Sequence, residues 1–218
     1  GSSKFPAHSR WAFFPSASAA YRISQEKFWE PIKEVVNNAK IRASYGVVGN
    51  QEVGSNMYLE TMSRTGNGVN WLGTGTSKYD YFGTPKLVSS DLTWESMKTT
   101  NIGLDLGFLK GDLNATFDWF QRETVGMLAV GETLPQVLGT SAPNENAGNL
   151  RTRGWEMTVD YHHTFDNGLH IYANANLSDY TTVVTKWNNN NPLLKSNFSG
   201  KIYGDIYGFE TDRYFTWD

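Results

Sequence analysis

Cysteine is absent, so the chain has no disulfide framework, no thiolate metal site and no cysteine nucleophile. No stretch reaches the roughly 18 consecutive apolar residues of a membrane-spanning helix. Lysine and arginine never cluster, and with a formal net charge of -3 the sequence lacks the basic footprint of a nucleic-acid-binding protein. The opening "GSSKFPAHSRW" has no apolar core of a secretory signal, so an exported gene product is expected to begin upstream of it. Reactive motifs are missing too: neither G-x-S-x-G nor H-E-x-x-H occurs, and "GNGVNWLGTGTS" lacks the glycine spacing of a dinucleotide-binding turn. His162 and His163, adjacent on a strand, point to opposite faces and do not share a metal. The expectation is a protein that is not an enzyme and holds no cofactor or metal.

What is present is aromatic and β-rich. Phe, Trp and Tyr make up 14% of the chain, which favours strands over the Ala/Leu/Glu/Lys mix of helices. Six segments alternate with period two, and each sorts into two faces. In "TNIGLDLGFLKGDLNATFDWFQRET" the apolar face reads Ile102, Leu104, Leu106 and Phe108, then Leu113, Ala115, Phe117 and Trp119, on either side of a Lys110-Gly111-Asp112 turn. The same reading gives a strand from Trp11 to Arg22, another from Lys40 to Val48, one from Gly154 to His163 and one from Leu169 to Ser178. "ISQEKFWEPIKEVVNN", between the first two, has room for a short helix over Gln25 to Val36.

In all six segments one face carries no charge over its central stretch, while the other repeatedly carries Asp, Glu, Arg or Lys. Two solvents suit such a face: the second sheet of a water-soluble sandwich, or the hydrocarbon of a bilayer. A bilayer imposes the stricter rule, because Arg or Lys at its midplane costs a barrel about 2–4 kcal/mol, and none of the six faces breaks it. Connection lengths favour the bilayer. "KGD" and "TFDNG" are short turns, whereas roughly 45 residues separate strands two and three, about 30 separate strands four and five, and over 30 follow strand six. Short turns at one end and long loops at the other belong to a transmembrane β-barrel. Trp11, Tyr21, Tyr45, Phe108, Trp119, Trp155 and Tyr161 lie near strand ends on the uncharged face, where interfacial girdles form. Six strands do not close a barrel, for which about eight is the bacterial minimum, so the fold class expected is all-β: part of a larger antiparallel barrel.

Five blocks resemble one family in the right order: "FPSASAAYRIS", "KIRASYGVVGNQEVG", "LTWESMKTTNIGLDLGFLKGDLNATFDWFQRETVGML", "LPQVLGTSAPNENAGNLRTRGWEMTVDY" and "IYGFETDRYF". Together they look like the late barrel portion of SusC/RagA-type TonB-dependent transporters of the Bacteroidetes outer membrane. The resemblance implies a barrel of about 22 strands, of which residues 1–218 form part of the C-terminal β-barrel domain, with an N-terminal plug domain and the remaining strands outside them. It also implies location in the cell outer membrane, contact with the lipid bilayer, a SusD-like surface lipoprotein over the outer mouth, TonB acting through the N-terminal region, and import of an oligosaccharide or peptide substrate. A secreted all-β carbohydrate-binding module is the alternative reading.

Site residues are expected in the long loops, which tolerate variation on a rigid scaffold. Trp71, Tyr79 and Tyr81 in one loop, and Trp187 beside Asn188 to Asn191 in another, carry the aromatic faces and amides that stack on sugars or bond to peptide. Glu156 and Asp160 share a strand face and suggest a glycosidase acid pair, but the reading favoured is a polar lumen lining, in which Asp105 beside Arg42, and Asp118 beside Arg122, cross-link the wall.

Overall fold

The alternating runs pair edge to edge into a single antiparallel sheet. A computed structural model of the chain describes residues 1–65, 81–131, 134–187, 197–206, 208 and 210. The strands are β1 (Ser16–Arg22), β2 (Val36–Asn50), β3 (Arg64–Thr65), β4 (Tyr81–Phe82), β5 (Glu95–Phe108), β6 (Leu113–Val130), β7 (Asn144–Thr164) and β8 (His170–Lys186). Six of them form one sheet in the order β1-β2-β5-β6-β7-β8, every neighbour antiparallel, and β3 pairs with β4 as a separate small hairpin. The large sheet is open, with β1 and β8 as its edges among the described residues.

Register aligns the apolar positions into rows. One row runs Tyr21, Ile41, Leu104, Phe117, Met157 and Leu177, and the next runs Ala43, Ile102, Trp119 and Trp155. No second sheet covers them among the described residues. Ile102 is 49% exposed, Phe117 41% and Leu177 61%, although burying such a side chain is worth about 1.5–3 kcal/mol. The sandwich alternative required these rows to interdigitate with a facing sheet, and none lies over them among the described residues. Along β7 the outward positions are uncharged between Arg153 and His163. At about 3.3 Å per residue and a barrel tilt near 40°, that interval stands about 25 Å tall, the height of the apolar band of membrane barrels.

Turns gather at one end and loops at the other. Leu109–Gly111 joins β5 to β6, residues 165–169 join β7 to β8, and residues 23–35 join β1 to β2. In the β7–β8 turn Gly168 takes φ 82, its N–H donates to the carbonyl of Phe165, and the Leu169 N–H closes on the Asn167 side chain. This is the chemistry an Asn-Gly pair supplies. The β5–β6 turn is tighter, with positive φ at Leu109, Lys110 and Gly111 in succession.

Several boundaries differ from the sequence reading, among them the end of the last strand, which runs to Lys186 and not Ser178. The first strand begins at Ser16, not Trp11: Pro15 has no N–H to continue the ladder, although its carbonyl still accepts from Val47. The expected helix over Gln25 to Val36 is instead two 3-10 segments, Ile23–Gln25 and Lys27–Ile32, and β2 already starts at Val36. Pro31, inside the second segment, is incompatible with an α-helical interior. The connection between β6 and β7 shrinks to residues 131–143, because both strands run on past the apolar band.

Candidate functional site

The polar face is a wall held by charge. Arg42 on β2 donates from Nε and from one terminal nitrogen to Asp105 on β5, at 2.9 Å in each case, and the same terminal nitrogen reaches Oδ2 of Asp118 on β6 at 3.0 Å. Lys40 adds a looser contact to Asp105 at 3.9 Å. Gly103 makes the longer reach possible. A Cβ there would lie 2.7 Å from the Arg42 guanidinium carbon and 2.5 Å from Oδ1 of Asp118, so a side chain would block the path across β5. The expected Arg42–Asp105 cross-link is therefore present. Asp118 pairs with Arg42, however, and not with Arg122, which stands four residues further along the same strand, too far for contact on a strand face.

Glu156 and Asp160 do not form an acid pair. Glu156 lies opposite Asp118 and Ser178, while Asp160 accepts from Asn174 at 2.6 Å and from the Tyr172 hydroxyl at 3.3 Å. Four residues along a strand separate the two carboxylates by about 13 Å, beyond any glycosidase spacing. Among the described residues no group of His, Asp and Glu is placed to hold a metal. His163 points away from His162 and pairs with Asp112 at the turn end, its ring packed edge-on against Phe165.

At the loop end the rim is built from segments distant in sequence. Phe5 and Leu92 are buried, and Trp94 contacts Phe5 at 5.0 Å and Phe14 at 5.4 Å between ring centres. The indole N–H of Trp94 donates to the carbonyl of Ser9, fixing residues 1–14 against the lead-in to β5. Sequence periodicity does not detect this cluster, since it alternates with nothing; Pro15, which ends the ladder, is the one local signal.

Asn146 on β7 completes the rim. Its Oδ1 accepts from the Thr93 N–H at 2.9 Å, and its Nδ2 donates to the Thr93 carbonyl at 3.0 Å and to the Gly126 carbonyl at 2.6 Å. The side-chain amide thus acts as one residue of an extra strand, bridging to residue 93 past the β6 bulge where Gly126 holds φ 72. Asn149 finishes the bulge by accepting from the Gly126 N–H at 2.9 Å.

Of the loop aromatics expected to meet ligand, Trp71 and Tyr79 lie outside the described residues. Tyr81 opens β4 and pairs in register with Thr65, which places it in a hairpin rising from the loop that follows β2. Trp187 follows β8 directly and rests its ring on Gly148 of β7, where a Cβ would come within 2.8 Å of Cζ3. Trp187 thus has one face taken by the wall.

An open antiparallel wall with one apolar and one ion-paired face, turns at one end and loops at the other, matches what the comparisons with known proteins return. The chain is 30% identical over 159 residues to TonB-dependent receptor P39 of Formosa agariphila and 29% identical over 163 residues to the TonB-dependent receptor SusC of Bacteroides thetaiotaomicron, each match covering 73% of this chain. It spans only 14% and 16% of the length of those two relatives. Among solved structures, the RagAB peptide transporter superposes over 84% of this chain and 19% of its own, with TM-score 0.68 and 24% identity. The RagAB peptide importer in its closed-closed state covers 90% and 20%, with TM-score 0.71 and 23% identity, so the same fold recurs there. These relatives are receptors and transporters, not enzymes. The family model described as TonB dependent receptor-like, beta-barrel matches residues 1–218, and the chain belongs to that family.

Proposed function

We propose that residues 1–218 are a stretch of the C-terminal barrel wall of an outer-membrane transporter that imports glycans or peptides. In this reading a plug domain and further strands, carried elsewhere in the full-length protein, complete the machine. TonB acts on it through the N-terminal region, and a SusD-like lipoprotein covers the outer mouth. The observation that carries the reading is the uncovered apolar face, about 25 Å tall, backed by an ion-paired polar face. The polar face lines a water-filled lumen, where the ion pairs of Arg42 with Asp105 and Asp118 stiffen the wall. Contacts with the imported molecule come from the loop end, with Trp71, Tyr79, Tyr81 and Trp187 as the candidate residues.

The RagAB relatives are a peptide transporter and a peptide importer, which supports the peptide cargo, while the glycan cargo rests on the family resemblance of the sequence. Uptake by cells carrying the full-length gene decides between them. Growth on an oligosaccharide or on a peptide as sole carbon source, lost on deletion of the gene and restored by its return, identifies the cargo. If neither form of growth depends on the gene, the transport reading fails.

A further inference from the structure

Immediately past the loop end of the apolar band, the outward face stops being apolar and becomes basic. Above the row Ile102–Trp119–Trp155 lies the row Thr100–Gln121–Arg153, and above that Lys98–Glu123–Arg151. Each step is about 6.6 Å along the strand. A chain of hydrogen bonds fixes the two arginines. Arg153 Nε donates to Gln121 Oε1 at 2.6 Å, Gln121 Nε2 donates to Glu123 Oε1 at 3.2 Å, and Arg151 Nε donates to that same oxygen at 2.8 Å. Both guanidinium groups are held by Nε, leaving their terminal amino groups without a bond among the described residues. Lys98 is exposed and makes no ion pair among the described residues. Three cations thus face one carboxylate, Glu123, with Asp179 further off beside Trp155 in the row below.

Directly beneath this patch the apolar face is hollowed. A groove of about 250 Å³ runs between Ile41, Ile102 and Leu104 on one side and Phe117 and Trp119 on the other. Its walls are almost wholly hydrocarbon and its upper end meets the Thr100–Gln121 row.

We propose that this groove and the patch above it form one binding site for an anionic, phosphate-bearing membrane lipid. The acyl chain fills the groove, and the headgroup phosphate bonds to the free ends of Arg153 and Arg151 and to Lys98. Charge complementarity and continuity single out this occupant. A soluble anion would use the cations and leave the groove empty, while a neutral lipid would use the groove and leave Lys98 and the terminal amino groups of Arg151 and Arg153 without an anion. A guanidinium whose Nε is already anchored presents its remaining N–H groups in a fixed fork, which suits phosphate. The proposal rests on the transmembrane reading of the barrel, and it adds a specific lipid class at a specific place.

The test uses the full-length protein, reconstituted in nanodiscs of phosphatidylcholine with a minor share of phosphatidylglycerol, and then released for native mass spectrometry. The wild type should retain one phosphatidylglycerol in preference to phosphatidylcholine. Lys98→Gln/Arg153→Gln should lower that occupancy about thirtyfold, the scale expected for two headgroup-facing cations. Ile102→Trp, which fills the groove and leaves every charge in place, should lower it as well, and inorganic phosphate should not displace the lipid. Equal retention of both lipids, or occupancy unchanged in the charge variant, overturns the site. Displacement by inorganic phosphate reduces it to a headgroup-only anion site and also overturns it. Should the double variant not assemble, Lys98→Gln alone, on an exposed side chain, carries the same comparison. A wild type that stays out of the nanodiscs and dissolves without detergent overturns the membrane reading itself, a result distinct from the others.

Discussion

Arg42 and Asp118 sit on strands that are not neighbours, yet they bond at 3.0 Å because Gly103 on the intervening β5 leaves the path between them open. One guanidinium therefore ties three strands of the wall together. Charge-assisted hydrogen bonds are worth about 1.5–3 kcal/mol when shielded, and the half-exposed setting here lowers that towards 1 kcal/mol. In a double-mutant cycle on the full-length barrel, Arg42→Gln and Asp118→Asn should show a coupling of about 1 kcal/mol in detergent unfolding. Gly103→Val should abolish that coupling while leaving both charges in the sequence. A coupling that survives in the valine background would mean that the open path at Gly103 is irrelevant.

The apolar and polar faces predict opposite tolerances. Leu106→Arg puts a cation near the middle of the band and should cost about 2–4 kcal/mol, seen as a sharp fall in folded, heat-modifiable protein in the membrane fraction, and Ala173→Arg, opposite Tyr161 at the turn-end girdle, should cause a smaller fall. Asn174→Arg adds the same charge one residue from Ala173, but beside Asp160, and should assemble normally. Comparable loss in all three variants would overturn the assignment of faces.

Most of this wall was legible in the sequence, and the strand ends where the reading stopped share a cause. Period-two alternation marks a strand only while one side must be apolar. It is clear from Trp155 to Tyr161 because every outward residue there meets the band. Past Trp119 and Trp155 the outward positions become Gln121, Glu123, Arg151 and Arg153, yet backbone pairing continues to Val130 and Asn144. Strand without alternation reads as loop, and the shifts between Val125 and Leu128 break the period further. The rim cluster of Phe5, Phe14 and Trp94 was illegible for another reason: it joins residues some 80 or more positions apart, and no local pattern encodes such a meeting. For the candidate site, the sequence pointed to the loop aromatics and to the Arg42–Asp105 link. It did not reveal the Asn146 bridge, since an asparagine that replaces a strand looks like any turn asparagine.

That bridge predicts a local effect. Asn146→Leu removes two bonds to Thr93 and one to Gly126 while keeping the side-chain size. Hydrogen exchange at the Thr93 amide should accelerate by more than about tenfold, corresponding to roughly 1.4 kcal/mol or more of lost local protection, while amides in the centre of β5 stay protected. Uniform acceleration along β5 would instead mean that Asn146 supports the whole sheet.

The β5–β6 turn carries strain that substitution can relieve. Leu109 takes φ 52, a left-handed conformation that costs an ordinary L-residue roughly 1–2 kcal/mol, and its side chain is 59% exposed, so little burial offsets the cost. Asparagine tolerates this region far better than leucine. Leu109→Asn should therefore stabilise the full-length barrel by about 0.5–1 kcal/mol, measured as a higher denaturant midpoint with unchanged slope. Leu109→Val should do the reverse, because β-branching makes the same φ harder to reach. If both variants are destabilised equally, the leucine side chain itself must be bound, for instance by lipid headgroups at the turn end, and the turn's backbone would not be where the energy lies.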